Sequence, residues 1–477
     1  MSLSRYVPAA LVLAALGAIG GVVAGVKPAP LVTAALVTKQ VPVNAAIRAC
    51  PAGSDGGQDR LAVYASGTSA ARTGDGAALV TPLWQSKARA ATIATVTSPG
   101  ALALLPVPAT GAASKQQAWA VTAAGAMAPG VEAEVADSAG LASVSCGAPA
   151  SSLWFVGPGQ GNGAGQIQLD LMNVDSLAAT VDVNVITEAG PAQTSAYTGL
   201  TVPSHQLVVE SLSSLAGGAS VVAINVRTTA GRVAADVSES APHGGVSWLP
   251  ASATPSTSLV LPGVPPSGAG ASLFLVVPGN AGARVSVVAL TGQGRYEPLG
   301  SQQVDLPGES ATYVPLTALG GGSAVSLLLT SNVPVTAAVL VPGSDLGAFT
   351  AAVQPITQQA VIAGNTTSGG LSATIVLTAP AQAARVQVTE TAQGASADSQ
   401  IITVPAGRTV DVTAASPRRG TPFAIVLTPQ TGSGPVYAAR VESQGSQGKV
   451  VSIIPAGSAL TTISLPPVRD SYTAINP

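Results

Sequence analysis

The sequence predicts an all-β protein built from tandem antiparallel β-sandwich modules of immunoglobulin-like size. Three observations support this fold class: a repeat of about 100 residues, short segments in which apolar and polar residues alternate between Gly and Pro, and no helical periodicity with capping beyond the N-terminus. We therefore expect four modules after one N-terminal hydrophobic helix.

The repeat is clearest in four valine-bounded segments. They begin at Val131, Val233, Val335 and Val436, so successive copies are 102, 102 and 101 residues apart. The last three copies share further landmarks in the same phase, namely an alternating strand, a glycine turn and an apolar–proline step: Val181, Gly190 and Val202-Pro203; Val285, Gly294 and Leu306-Pro307; Val386, Gly394 and Val404-Pro405. A repeat of this length accommodates about seven short strands, as in an immunoglobulin-like sandwich.

The alternating strands predict which side chains are buried. Successive side chains of a strand point to opposite faces, so one set faces the core. The valines expected on the buried face are Val181, Val183, Val285, Val287, Val386 and Val388. The polar residues expected to point away are Asp182, Ser286 and Gln387.

The same landmarks divide the chain. We expect a signal or anchor helix with a linker over residues 1–40, followed by β modules over 41–145, 146–245, 246–350 and 351–477, the last with a C-terminal strand segment. The first module is the least regular, with a long Ala/Gly/Ser/Thr-rich stretch near residues 65–115.

A closed ring or propeller-like array is the alternative architecture. Similar joining segments flank the repeats, such as Val246–Pro250 and Val451–Pro455, so the termini could complete each other's sheets. One repeat is larger than the roughly 40–50 residues of a propeller blade, which favours the tandem array.

The N-terminal segment predicts export. Val7 to Val26 is uncharged and lies between Arg5 and Lys27. Its length suffices to cross a bilayer and exceeds that of a usual signal core, so we expect a single-pass anchor with a cytoplasmic N-terminus. A cleaved signal, with Val22-Val23-Ala24 as the cleavage site, stays open. Either alternative places the remaining chain outside the cytoplasm.

Cys50 and Cys146 are the two cysteines of the chain. An even number in an exported protein favours one disulfide, here around the first module, and the alternative is two buried free thiols. Their spacing excludes a C-x-x-C redox pair and a cysteine zinc site.

Composition excludes several classes of partner. The net charge is −2, charged residues make up 9%, and the arginines are scattered, so the chain lacks the clustered basic face that nucleic acid requires. Aromatic residues make up only 3%, which argues against base-stacking platforms and aromatic sugar-binding strips.

Motifs that resemble chemistry lack their required context. The glycine-rich segment Gly157–Gly165 looks like a phosphate loop, but an alternating strand, Gln166–Leu171, follows it instead of a helix. We expect a hairpin loop. His205 corresponds to Glu309 in the next module and is expected in a solvated turn, and His243 in a loop. Together the two histidines do not predict a metal site.

The acidic residues predict no site either. Glu132 and Glu134 share a strand face that we expect to be solvated, because sister modules place other residues there. The series Asp170, Asn173, Asp175 lacks the glycine and glutamate of a calcium loop. Asn365 begins a glycosylation triplet, a pattern that also arises by chance. Asp170 and Asp182 would share a face only if their strands pair.

Several structural motifs together carry a resemblance to a known family. They are Trp154-Phe-Val-Gly157, the Leu-Asp-Leu-x-Asn strand from Leu169 to Asn173, the run Ala179-Thr-Val-Asp-Val183, and Leu261-Pro-Gly-Val-Pro265. With these motifs the chain resembles alanine-rich, secreted actinobacterial proteins classed as a domain of unknown function. The resemblance implies a cell-envelope protein and carries no activity to any residue.

These observations predict a non-catalytic extracytoplasmic protein of the cell envelope, without cofactor, metal or catalytic residues. Its expected partners are the membrane, through the N-terminal helix, and envelope polysaccharide or proteins. The alternatives are an accessory polysaccharide enzyme, which would need two carboxylates about 5–10 Å apart in a cleft, and a surface adhesin, which would self-assemble.

Overall fold

The fold is known from a computed structural model. The structure describes residues 38–51, 59–67, 75–85, 92–106, 117–136, 142–192, 195–240, 245–265, 270–316, 319, 324–343, 347–445 and 449–466. Residues 42–462 form one compact unit. In the second unit, strands β1 (Lys39–Pro42) and β35 (Thr462–Leu465) form a two-stranded sheet.

The compact unit contains four modules of eight strand positions each, which we letter A to H in chain order. Module 1 consists of β2 Ala45–Cys50, β3 Arg60–Tyr64, β4 Gly76–Trp84, β5 Ala94–Val96, β6 Ala103–Pro106, β7 Gln117–Gly125, β8 Glu132–Ala136 and β9 Ser143–Ser145. Module 2 consists of β10 Ser152–Pro158, β11 Gln166–Asn173, β12 Ala179–Thr187, β13 Gly190–Ala192, β14 Leu200–Val202, β15 Gln206–Ser211, β16 Val221–Ala230, β17 Ala234–Ser240 and β18 Val246–Leu249. It also holds a short helix, Ser213–Ala216, and 3-10 turns at Gln160–Asn162 and Ser195–Tyr197.

Modules 3 and 4 follow the same plan. Module 3 consists of β19 Ser256–Val264, β20 Ala271–Val277, β21 Ala283–Leu290, β22 Arg295–Tyr296, β23 Gln303–Leu306, β24 Ser310–Leu316, β25 Val325–Val341 and β26 Ala348–Ala351. Module 4 consists of β27 Ala360–Asn365, β28 Leu371–Ala379, β29 Ala384–Ala392, β30 Asp398–Val404, β31 Arg408–Ala414, β32 Phe423–Pro429, β33 Tyr437–Gln444 and β34 Lys449–Pro455.

Every module has the same strand order. One sheet runs A–F–C–D and the other E–B–G–H, with antiparallel neighbours throughout. In modules 2 and 3 position D is split into two short strands (β13 and β14, β22 and β23), and in module 3 the long strand β25 supplies both F and G. Buried apolar residues from both sheets form one core in each module. The predicted sandwich modules are confirmed.

Strand C shows why the sequence folds this way. The six predicted valines are at most 7% exposed, whereas Asp182, Ser286 and Gln387 are half-buried on the opposite face. The predicted alternation is confirmed, since burial of one apolar face drives the pairing of the two sheets.

The modules also contact one another in cyclic order. The A–F–C–D sheet of each module packs against the E–B–G–H sheet of the next, through small and apolar residues on the outer strand faces. The A–F–C–D sheet of module 4 packs in the same way on module 1, with Val361, Ala363 and Val426 against Ala62 and Tyr64. The array therefore closes into a ring, as the alternative architecture predicted.

The four H strands meet where all modules come together. The Ser143 and Ser452 hydroxyls lie 2.7 Å apart, and the Ser247 hydroxyl donates to the Gly347 carbonyl at 2.6 Å. Residues of all four modules enclose a cavity of only about 20 Å³ there, enough for about one water molecule. Each H strand also pairs with strand G of its own module, so the joining segments complete the preceding sheet.

The predicted disulfide is confirmed. Cys50 ends strand A of module 1 and Cys146 follows strand H, with their Cα atoms 4.3 Å apart. In all four modules an isolated β-bridge joins strand A, or the residue just before it, to the segment after strand H, for example Ala49 with Gly147 in module 1 and Trp154 with Ser252 in module 2. The disulfide thus reinforces, in the least regular module, a junction that its sister modules make with hydrogen bonds.

Candidate functional site

An open groove of about 460 Å³ lies on module 3. Its wall is formed by strands β21 and β25 and by the segment that joins β22 to β23. All of its lining side chains are polar: Arg284, Ser286, Glu297, Gln302, Gln303, Thr330, Ser331 and Asn332.

An interruption in position D makes room for this groove. In module 4, strand β30 pairs with β29 along seven residues, from Asp398 to Val404. In module 3, β22 and β23 together pair with only six residues of β21, and residues 297–302 leave the sheet. Module 2 has a similar interruption, but there the buried Tyr197 packs into the core, with its hydroxyl donating to the Ser211 carbonyl at 2.6 Å.

Hydrogen bonds hold the lining residues in place. The Asn332 amide oxygen accepts from the Arg284 backbone N–H at 2.6 Å, and its amide nitrogen donates to the Gly282 carbonyl at 3.3 Å. The Arg284 guanidinium lies 3.1 Å from the Asp305 carboxylate, which also accepts from Gln303 at 3.2 Å. These bonds orient Asn332, Arg284 and Gln303 along the groove wall.

The groove offers hydrogen bonds at low net charge. The two charged lining residues, Arg284 and Glu297, have opposite signs, and Arg284 is already paired with Asp305. The remaining lining groups are amides and hydroxyls that both donate and accept. Such a surface suits a neutral ligand rich in hydroxyl groups. Its open form admits an extended chain, whereas small-molecule sites enclose most of their ligand.

A second cluster of polar groups joins module 4 to module 1. The Arg440 guanidinium, fully buried, lies 2.7 Å from the Glu134 carboxylate and donates to Ser143 at 2.6 Å. Glu134 also accepts from the Gly364 N–H at 3.0 Å. A Cβ on Gly364 would lie 3.0 Å from the Glu134 carboxyl carbon, so glycine permits this approach.

Glu134 contradicts the solvated-face interpretation. Glu134 is 1% exposed and paired with Arg440, whereas Glu132 is half-buried and its carboxylate lies 2.6 Å from Arg48. The sister modules place other residues at this position because each interface is built differently, not because the face is solvated.

A third cluster is a buried pair of carboxyl groups. Asp170 on β11 lies directly opposite Asp236 on β17, and the residues are 1% and 6% exposed. Asp182 lies on β12 in the other sheet, so Asp170 shares its face with Asp236 instead. Burial raises the pKa of Asp170 to about 7, although Gln168 donates to it. Burial, and then the charge of Asp170, raise the pKa of Asp236 well above its usual range.

Comparison with known proteins places the chain in a family. A family model described as a family of unknown function, DUF5719, matches residues 107–415. The chain belongs to this family. No curated protein matches the chain.

Two solved structures show faint similarity. A β-glucuronidase from Bacteroides uniformis is 10% identical, with 42% of this chain and 25% of that chain covered and a TM-score of 0.11. The chain thus spans a quarter of that enzyme. A tetra-tandem repeat from the extending region of a large adhesion protein is 13% identical, with 89% and 100% covered and a TM-score of 0.11. Similarities at this level support no inference about this family member.

The glycine-rich segment is a loop, but not a hairpin loop. Strand β10 before it pairs with β16, whereas β11 after it pairs with β15 and β17. The loop therefore crosses from one sheet of module 2 to the other, and no helix follows to bind phosphate. Sequence alternation identifies the strand but not the sheet it joins.

The histidine predictions have separate outcomes. His205 is exposed and adopts a left-handed backbone with φ 54°, and Glu309 does so with φ 53°. This confirms the predicted turn and its equivalence between modules. His243 lies outside the described residues.

The side chains of the calcium-like and glycosylation patterns make hydrogen bonds and ion pairs within the protein. The Asn173 amide donates to the carbonyls of Leu177 and Val202 at 2.8 and 2.9 Å, and Asp175 pairs with Arg232 at 2.8 Å. Asn365 is 1% exposed and its amide donates to two backbone carbonyls, so the fold hides it. The described residues contain no group of three or more side chains arranged for a metal ion.

The predicted N-terminal helix, Val7–Val26, lies outside the described residues. Among the residues that are described, no helix is long and apolar enough to cross a membrane.

Proposed function

We propose that this protein is a non-catalytic, extracytoplasmic binding protein of the cell envelope, and that the groove of module 3 binds a neutral, hydroxyl-rich polysaccharide. The observation that carries this proposal is the polar, charge-balanced lining of the groove. Amides and hydroxyls replace the hydrogen bonds that sugar hydroxyls make with water, and the balanced charges favour neither a cationic nor an anionic polymer.

The groove also favours binding over hydrolysis. Its lining includes one carboxylate, Glu297, whereas glycoside hydrolysis ordinarily uses two carboxyl groups that flank the scissile bond. The buried carboxyl groups Glu134, Asp170 and Asp236 lie at interfaces between modules, away from the groove. These positions suit a structural role.

Two features support the proposed compartment. The disulfide between Cys50 and Cys146 is typical of oxidising environments, and the uncharged segment Val7–Val26 is long enough for a membrane anchor. Under this proposal the ring is held at the outer face of the membrane, where its groove meets envelope polymer.

Retention on polymers tests the function. Purified full-length protein is incubated with neutral glucan, arabinogalactan-like polymer and peptidoglycan, and both retention and release of soluble sugar are measured. We expect retention on a neutral polymer without turnover. Turnover that one Asp or Glu substitution abolishes would contradict the non-catalytic role, and no retention on any neutral polymer would contradict the binding role.

Two matched variants test the groove. Ser286→Leu places an apolar side chain on the groove wall, and Gln387→Leu makes the corresponding change on strand C of module 4. Both residues are half-buried. We expect Ser286→Leu to weaken retention about tenfold, which equals about 1.4 kcal/mol and one or two hydrogen bonds. Equal effects of both variants would exclude the groove as the site.

A further inference from the structure

The carboxyl pair Asp170 and Asp236 occupies the interface between modules 1 and 2. Both side chains point away from the core of module 2, which their neighbours Leu169, Leu171 and Val237 fill. On that side, the sheet containing β11 and β17 packs against the A–F–C–D sheet of module 1, through residues such as Met172 and Ala234 on one side and Leu83 and Ala118 on the other. The pair is thus enclosed by two modules.

The pair lacks the partners that buried carboxylates normally have. One oxygen of Asp170 accepts from Gln168 at 2.9 Å. The Oδ2 atoms of Asp170 and of Asp236 are buried without a hydrogen-bond partner. A buried ionised carboxylate without compensation is costly, and such groups keep a proton instead.

Charged groups on the surrounding strands do not compensate the pair. Strands β4, β7 and β18 carry no charged residue. On β2, Arg48 binds Glu132. On β15 and β17 the charged neighbours are the acids Glu210 and Glu239, and Glu239 accepts from the Gly165 N–H. Burial raises the pKa of both acids, so they bring no positive charge either.

The repeat supplies a comparison within the same protein. Glu134 holds the position in module 1 that Asp236 holds in module 2, and across the interface with module 4 the buried Arg440 is paired with both Glu134 and Glu442. Module 3 has Ala338 there, inside an apolar interface. Of these three interfaces, only the one between modules 1 and 2 buries two acids with no arginine paired to them among the described residues.

We propose that Asp170 and Asp236 together bind one proton at neutral pH, and that its loss in alkaline solution opens the interface between modules 1 and 2. Cross-strand carboxyl groups in a buried interface cannot both ionise at low cost, so the pair titrates as a unit. When the second charge forms, the two modules separate locally and water reaches the carboxylates. The interface is therefore a joint of the ring that responds to pH.

Hydrogen exchange tests the proposal. Exchange in full-length protein is followed by mass spectrometry near pH 6.5 and 8.5, and the rates are corrected for the intrinsic amide exchange rates. The corrected exchange rate of β11 and β17 should rise by at least about tenfold at the higher pH, because closing this interface requires a proton. Peptides covering β8 and β33, at the interface of Glu134 with Arg440, are the internal control and should keep their protection.

Amide variants distinguish the pair from general alkaline loosening. Asp170→Asn and Asp236→Asn each remove one titrating group, and either variant should abolish the increase. Asp305→Asn, at a side chain 62% exposed, is the matched control and should behave as wild type. The proposal is overturned if exchange at β11 and β17 in the wild type does not change with pH, or if the two amide variants show the same alkaline increase as the wild type. Suppression of alkaline opening by millimolar calcium would also overturn it, because the pair would then be a cation site.

Discussion

Arg440 shows how one side chain can hold two modules together. Its guanidinium is fully buried and contacts the Glu134 carboxylate, the Ser143 hydroxyl and the Gly364 carbonyl at 2.6–2.9 Å. Pairs of this kind are costly to break from one side, because the remaining charge stays buried.

We predict that Arg440→Met lowers the free energy of unfolding by about 3–5 kcal/mol. Arg284→Met, which removes an ion pair whose arginine side chain is 70% exposed, should cost less than about 1 kcal/mol. Urea unfolding of both variants checks this. The double variant Glu134→Gln with Arg440→Met should be more stable than Arg440→Met alone, and the opposite order would show that the buried charge is not the cause.

Asp170 sets an expected pH dependence of stability. An unfolded aspartate titrates near pH 4, whereas the pKa of folded Asp170 is about 7. Between these values the folded protein holds a proton that the unfolded chain has released, so this group's stabilising contribution falls as pH rises from about 4 to about 7 and is constant above.

We predict that Asp170→Asn flattens this dependence, because the variant removes the group whose folded pKa is raised. Urea midpoints of wild type, Asp170→Asn and the surface control Asp305→Asn at several pH values provide the measurement. If wild type and Asp170→Asn decline in parallel, another group is responsible.

At the scale of single elements, the disulfide compensates for the short and interrupted strands of module 1. It closes a loop across 96 residues of sequence separation. In the chain-entropy model such a loop is worth about 4–5 kcal/mol.

We predict that the variant Cys50→Ala with Cys146→Ala lets module 1 unfold before the other three. Native-state hydrogen exchange should show lost protection in β2 and β9, while β29 and β32 of module 4 keep theirs. Uniform loss over all four modules would mean that the disulfide supports the whole ring equally.

Strand C offers a matched test of register. Val388 is 1% exposed, whereas its neighbour Gln387 is half-buried on the other face. Val388→Asp buries an unpaired charge and should prevent stable folding of module 4, at a cost of several kcal/mol. Gln387→Asp should be tolerated within about 1 kcal/mol. Circular dichroism and thermal unfolding distinguish the two, and equal losses would refute the assigned face.

Sequence patterns predict individual strands and turns, but they do not predict which strands or modules contact one another. Alternation in strands such as Val181–Val185 reflects which face of the strand is buried, so it can be recognised in the sequence. The turn shared by His205 and Glu309 can be recognised as well, because it recurs at the same place in two modules. The partner of Glu134 lies 306 residues away, and the groove depends on where position D is interrupted. Neither has a local signal. A comparison of interface residues between modules could have suggested the Asp170–Asp236 pair, since Asp236 aligns with Glu134.

For the whole molecule, closure of the ring explains the composition of the outer strand faces. One face of each sheet packs on the other sheet of its own module, and the opposite face packs on a neighbouring module. Small and apolar residues therefore occupy faces that a free sandwich would expose to water. This also explains the low charged fraction of 9%. The groove of module 3 lies on a part of the surface that this packing leaves open.

Closure is the central claim, and a designed cross-link tests it most directly. The hydroxyls of Ser143 and Ser452 lie 2.7 Å apart although 309 residues separate them, so Ser143→Cys with Ser452→Cys should form a disulfide in the folded protein. Mass spectrometry of the digested, unreduced protein identifies the linked peptides, and the two single variants serve as controls with one free thiol each. We predict a quantitative 143–452 cross-link with unchanged folding, whereas two free thiols in the folded double variant would show that modules 4 and 1 do not meet.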